Sequence, residues 1–149
     1  MKKIITESFE QTQKLGSELA QSLNGGEVLA LHGDLGSGKT TFMQGFAKGL
    51  GIKRNIISPT FIIMRTYVMQ GEEERGKGKA IQNLYHVDLY RIENERDVEG
   101  LGLFELLGEK ENIVAIEWPE KIENLLPKDK IDIYFEYMMD DKRSITFST

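Results

Sequence analysis

The sequence predicts an α/β fold: a mixed β-sheet flanked by helices and closed by an antiparallel hairpin. Three observations carry this reading. Short apolar runs such as Glu27–His32 and Ile113–Ile116 alternate with segments of helical period. A glycine-rich segment, Gly33-Asp34-Leu35-Gly36-Ser37-Gly38-Lys39-Thr40, stands between one such run and a helical stretch. Near the end of the chain, Ile131, Ile133, Phe135 and Tyr137 alternate with Asp132, Tyr134 and Glu136, and Ile145 and Phe147 alternate again after an Asp140-Asp141 turn. With 149 residues and 40 % hydrophobic content, the chain is expected to form a single domain around one packed core over residues 1–149.

The first helix is marked by Ser8 and Gln11, spaced as a capping box, with Leu15, Leu19 and Leu23 on one side and a stop at Asn24-Gly25-Gly26. Glu27–His32 is mostly apolar and bounded by glycine, as a strand buried within a sheet is. Beyond the glycine-rich loop, Phe42, Phe46 and Leu50 recur at helical spacing until Gly49 and Gly51. Thr60–Met69 and Ala80–Asp88 read as strands on either side of a charged tip, Gln70 to Lys79, which lacks apolar anchors. Asp97–Leu107 carries Leu101, Phe104 and Leu107 at helical spacing, with Gly100 and Gly102 weakening it. Ile113–Ile116 is a short apolar strand, and Pro119 suits the first turn of a helix through Leu125.

Composition narrows the chemistry. The absence of cysteine excludes disulfides, Cys-ligated zinc, iron–sulfur clusters and thiol nucleophiles, and two histidines are too few for a His-rich metal site. Any metal is therefore expected to be a hard cation on oxygen ligands. A net charge of −5 argues against a protein that grips nucleic acid by itself, because that grip comes from Lys and Arg neutralising phosphates. No apolar run reaches the roughly 18 residues of a membrane span, and Met1–Glu7 lacks the long apolar stretch of a signal peptide. The expected location is the cytoplasm.

Residues Gly33 to Thr40 satisfy G-x-x-x-x-G-K-[ST] in full, in the strand–loop–helix setting a P-loop requires. Gly33, Gly36 and Gly38 permit backbone conformations that turn successive N–H groups toward a phosphate, and the following helix adds its positive end. Lys39 brings a full charge to the β- and γ-phosphates. The Thr40 hydroxyl is placed to ligate Mg²⁺, and Thr41 is placed for the α-phosphate. The motif thus predicts binding of a purine nucleoside triphosphate, ATP with Mg²⁺. The bland alternative is a glycine-rich turn with an exposed lysine.

Such a loop needs a second acidic group, typically at the end of a buried strand. Glu117 ends the strand Ile113–Ile116, and Trp118-Pro119 takes the chain abruptly out of it, which would direct the carboxylate toward the loop. Asp88 ends Leu84-Tyr85-His86-Val87. Either acid suits metal orientation or the role of general base, and their structural alternatives are a solvated strand terminus for Glu117 and a cap or Arg91 partner for Asp88. Ser58-Pro59-Thr60-Phe61 is a loop-to-strand entry whose Thr60 hydroxyl is suited to sensing the γ-phosphate. Trp118 is by default a core residue, and His32 and His86 read as structural. Spacing assigns nothing to Thr12 or Arg143.

The P-loop, Ser58-Pro59-Thr60-Phe61, His86-Val87-Asp88-Leu89-Tyr90-Arg91 and Glu117-Trp118-Pro119-Glu120, in this order and at these separations, resemble the bacterial TsaE family, formerly YjeE. The resemblance covers essentially the whole chain. It implies an ATPase needed to make threonylcarbamoyladenosine at position 37 of tRNAs, working with the TsaD and TsaB proteins, with TsaD holding the transferase site. ATP hydrolysis would then reset the transferase complex between cycles, and the tRNA would be held by the complex, as suits an acidic chain. Carried over residue by residue, the resemblance makes Gly36, Ser37, Gly38, Lys39, Thr40 and Thr41 the phosphate site, and Thr40 and Glu117 the magnesium ligands. It makes Asp88 a catalytic or metal-orienting acid and Trp118 a neighbour of the site. It also brings Thr12 near the adenine and Arg143 toward the nucleotide. The charged tip is the one departure, longer than the usual connection in this family.

Two other P-loop classes compete. A small-molecule or nucleoside kinase usually carries an Arg-bearing lid, and no Arg-rich lid segment is present. A GTPase usually carries an Asn-Lys-x-Asp tetrad for guanine, which is also absent, so ATP is favoured over GTP. A scaffold that binds ATP and hardly turns it over would differ from the main reading chiefly in its response to partners.

Overall fold

The computed structural model describes residues 1–59, 63–69 and 80–148. Strands β1 (Lys2–Thr6), β2 (Val28–His32), β3 (Met64–Val68), β4 (Asn83–Asp88), β5 (Asn112–Glu117), β6 (Ile131–Tyr137) and β7 (Arg143–Ser148) form one sheet in the order β1-β7-β6-β2-β5-β4-β3. The central β6, β2, β5 and β4 are mutually parallel, while β1, β7 and β3 add antiparallel edges. The parallel strands β2 and β5 are buried along their lengths, which is why each reads as an unbroken apolar run.

Helices α1 (Phe9–Ser22) and α2 (Lys39–Gly49) cover one face. Their core holds Phe42, Met43 and Phe46 against Leu29, Leu31, Leu84, Ile113, Ala115 and Phe135. The opposite face is packed by Val98, Leu103, Ile122 and Leu126 against Val28, Val87, Val114 and Ile116. Alternation along each strand assigns the residues to these faces: Leu84, His86 and Asp88 of β4 share the α2 side with Ile113, Ala115 and Glu117 of β5.

The Ser8 Oγ accepts from the Gln11 N–H at 3.1 Å, so the predicted N-cap is present, while the Gln11 side chain reaches one residue past the cap and accepts from the Glu7 N–H at 2.8 Å. The buried line of α1 is Thr12, Gly16 and Ala20; of the leucine stripe, Leu23 is buried in the core just past the helix, while Leu15 and Leu19 pack at its margin. Glycines let α1 and α2 touch backbone to backbone: a Cβ on Gly16 would lie 2.3 Å from the Phe42 carbonyl oxygen, and one on Gly45 would lie 1.9 Å from that of Gln13.

Lys2–Thr6, which shows no clear alternation, is an edge strand on β7. The helix expected over Asp97–Leu107 is instead two single turns, Arg96–Glu99 and Leu103–Leu106, interrupted where Gly102 takes φ 71°. The expected antiparallel hairpin is present as β6 and β7; β6 also lies parallel to β2, and β1 adds the edge beside β7. Pro119–Leu125 is a 3-10 helix, kinked at Ile122. Within the expected strand Thr60–Met69 the structure shows Met64–Val68. Thr60, Phe61 and Ile62 fall outside the described residues, as does the charged tip Gln70 to Lys79. Among the described residues no helix is long and apolar enough to cross a membrane.

Candidate functional site

The site forms where β2 ends and α2 begins. Gly33, Gly36 and Gly38 all have positive φ, at 150°, 78° and 109°. Glycine is required most plainly at Gly33, where an added Cβ would lie 2.7 Å from the Phe135 carbonyl oxygen. Gly38 is the N-cap of α2 and offers no side-chain cap; the first backbone bond of the helix runs from the Phe42 N–H to the Gly38 carbonyl at 2.9 Å. The first-turn N–H groups of Lys39, Thr40 and Thr41 therefore point out of the helix end, an arrangement suited to an anion.

A cleft of about 180 Å³ lies at this helix end, lined by Gly36, Gly38, Lys39, Thr40, Thr41, Ser58, Glu117 and Arg143 together with the exposed Leu35. Lys39 is 4 % exposed; its ammonium donates to the Gly33 carbonyl, stands 3.5 Å from Glu117 Oε1 and lies 5.0 Å from the centre of the Trp118 ring. Trp118 itself has φ 58°, the sharp exit from β5 that turns the chain away just after Glu117. The other Glu117 oxygen, Oε2, accepts from His86 Nε2 at 2.7 Å. Burial raises the pKa of the Glu117 carboxyl, but the hydrogen bond from His86 and the charge of Lys39 outweigh burial. The net effect holds it below its ordinary value of 4.5, and so ionised at neutral pH.

The sequence-derived site residues divide into those that line the cleft and those that do not. Gly36, Gly38, Lys39, Thr40, Thr41, Glu117 and Arg143 line it. The Ser37 side chain is buried beneath the loop with its hydroxyl unpartnered, close to Gly33. Asp88 is opposite Glu117 in the β4–β5 register and equally buried, with one carboxylate oxygen accepting from the Tyr90 N–H at 2.9 Å in a tight turn. Thr12 is buried within α1, shares a 2.7 Å hydrogen bond with the Thr6 hydroxyl and does not line the cleft. Thr6 is the register partner of Arg143, so Thr12 connects to the cleft at one remove. Arg143 lies over Gly38, stacks 4.8 Å from the Tyr137 ring centre and donates to the Asp140 and Lys142 carbonyls, with Nε buried and unpartnered. Of the Ser58–Phe61 segment, Ser58 reaches the cleft, while Thr60 and Phe61 lie outside the described residues.

Sequence reasoning did not pair His86 with Glu117, although one signal was available: His86 stands two residues before Asp88 on a strand and so shares its face. His32 is occupied on the other face, stacked 4.4 Å from the Tyr134 ring and bonded to Asp132 at 2.8 Å. A larger cavity of about 600 Å³ borders the far end of α2, lined by Gln13, Gln44, Lys48 and residues 51–56. Size does not make it the better candidate, because the helix N-terminus, the buried ammonium and the ionised carboxylate converge only in the smaller cleft.

The arrangement offers backbone N–H groups and one ammonium to an anion, and a threonine hydroxyl and a carboxylate to a hard cation. Among the described residues no three of His, Cys, Asp and Glu gather as a metal site. A cation held here would therefore take most of its ligands from a bound phosphate and water. The oxygen donors Thr40 and Glu117 fit Mg²⁺ in that role, and the positive-φ loop with its open helix end fits a phosphate.

Residues 6–145 match the family model described as threonylcarbamoyl adenosine biosynthesis protein TsaE. The chain is similar to the tRNA threonylcarbamoyladenosine biosynthesis protein TsaE of Bacillus subtilis, at 40 % identity over 93 % of this chain and 80 % of the relative. It is also similar to the protein of that name from Aquifex aeolicus, at 40 % identity over 81 % of this chain and 79 % of the relative. The crystal structure of Bacillus subtilis YdiB superposes with a TM-score of 0.75 and 36 % identity, covering 98 % of this chain and 83 % of that one.

Proposed function

We propose that this chain, which belongs to the TsaE family of tRNA threonylcarbamoyladenosine biosynthesis proteins, is a P-loop ATPase that binds and hydrolyses Mg-ATP to support that modification. The whole chain acts as one nucleotide-binding domain, in the cytoplasm, with TsaD and TsaB as partners and with tRNA reached only through their complex. The observation that carries the reading is the placement of Lys39, held between the Gly33 carbonyl and the Glu117 carboxylate at the open end of α2.

In this reading the backbone of Gly36 to Thr41 cradles the phosphates, and Lys39 exchanges its contact with Glu117 for one with the β- and γ-phosphate oxygens. Glu117 and the Thr40 hydroxyl would hold Mg²⁺, which would supply neutralising charge to those phosphates. Asp88, one strand over, is the acid that orients water or metal. Arg143 approaches the nucleotide from β7, where it already covers Gly38. Thr12 acts through Thr6 and the β1–β7 register.

The test is phosphate release from Mg-ATP by the purified protein, alone and with TsaD and TsaB, against Lys39→Ala as background. Low activity alone and marked stimulation by the partners supports a partner-gated ATPase. Phosphate appearing on a small-molecule acceptor, with no stimulation, replaces it with the kinase.

A further inference from the structure

A glutamate side chain has three torsions, the last of them broad, so a buried carboxylate needs a partner to fix which oxygen faces which way. Glu117 has such a partner in His86, which is fully buried on β4. An ionised carboxylate can only accept, so the imidazole donates its Nε2–H to Oε2. His86 Nδ1 is buried with no hydrogen-bond partner, and an N–H there would be stranded, so the proton sits on Nε2.

The neighbours of this bond suit it. The register partner of His86 is Ala115, and Glu117 is the diagonal neighbour two residues further along β5. The two side chains meet across this diagonal at 2.7 Å. The small Ala115 side chain leaves the imidazole space to cross it. With Oε2 committed to His86, Oε1 is the oxygen turned to Lys39 and the cleft.

The geometry points to His86 as a positioning residue: its Nε2–H locks Glu117 with Oε1 presented to the cleft, and so sets the affinity of the site for a divalent cation. This rests on the Mg-ATP reading above. Hydrogen-bond partners behind a metal ligand typically contribute about 10–100-fold in metal affinity.

The test measures ADP binding with and without Mg²⁺, by calorimetry and by the fluorescence of Trp118, the single tryptophan, whose ring neighbours Lys39. His86→Gln keeps an amide donor near the Nε2 position, whereas His86→Asn places it too short to reach. Equal tightening by Mg²⁺ in the parent and His86→Gln is expected. In His86→Asn the Mg²⁺-dependent gain should fall by about 10-fold or more while Mg²⁺-free ADP affinity is unchanged. A full Mg²⁺ response in His86→Asn overturns the assignment. Loss of Mg²⁺-free ADP binding in both variants also overturns it, since His86 would then be holding the fold. Absence of any Mg²⁺ effect in the parent removes Glu117 as a metal ligand, and the inference with it.

Discussion

Replacing Gly45 with alanine tests whether α1 and α2 truly meet backbone to backbone beneath the site. The added Cβ would lie 1.9 Å from the Gln13 carbonyl oxygen and 2.4 Å from its carbonyl carbon and Cα. Non-bonded heavy atoms settle near 3.5 Å or more, so the two helices would have to part by roughly 1.5 Å at that point. No rotamer change relieves the contact, because both sides are backbone. Overpacking of this kind costs about 1–3 kcal/mol, and the rigidity here argues for the upper end. Alanine returns about 1 kcal/mol through its better helix propensity. The net loss is then about 2 kcal/mol, and at roughly 2–4 °C per kcal/mol for a chain of this size Tm should fall by about 4–8 °C. Gly100→Ala is the matched control: its Cβ would meet nothing within 4 Å and its φ is −69°. Restricting the unfolded chain there should add about 0.4–1 kcal/mol. Thermal unfolding followed by circular dichroism reads both variants. A Gly45→Ala protein as stable as the parent would refute the close approach of the helices.

For turnover, Lys39→Ala and Glu117→Ala should each lower ATP hydrolysis by about 10²-fold or more, the usual consequence of losing one charge-stabilising group. Near-normal phosphate release by Glu117→Ala would end its metal role. Asp88→Asn should retain ATP binding by calorimetry and lose turnover; lost binding would count against a catalytic role. Stability without nucleotide should depend on pH through Glu117. Because its folded pKa is depressed below 4.5, its contribution is present above that value and lost as pH falls through the folded pKa. Urea unfolding should show a smaller acid loss in Glu117→Gln than in the parent, and identical profiles would contradict the ionised Glu117 described above.

What could be read from the chain was whatever local spacing encodes. Gly33 to Thr40 announced itself because the loop's conformation depends on glycine at fixed offsets, and the flanking strand and helix have periods visible within a dozen residues. Glu117 and Asp88 were legible as strand-end acids for the same reason, and Trp118-Pro119 as a sharp exit from β5. The broken Asp97–Leu107 segment was harder, since apolar spacing favours a helix while Gly102 adopts a left-handed turn that spacing does not register.

Only the tertiary structure decided which distant residues meet. Arg143 reaches the cleft because β7 lies against β6, which itself lies beside β2, and nothing in the spacing around Arg143 predicts that order. The His86–Glu117 bond depends on a β4–β5 register that sets Ala115 opposite the imidazole. The buried side of α1 was settled by close packing on α2, where glycine fits and leucine does not. The sequence by itself determined the α/β elements, the loop and its acids, because each is fixed by forces acting over a few neighbouring residues. Strand order, register and helix contact were decided by burial and backbone pairing between segments far apart in the chain, whose partners become defined only when the sheet assembles.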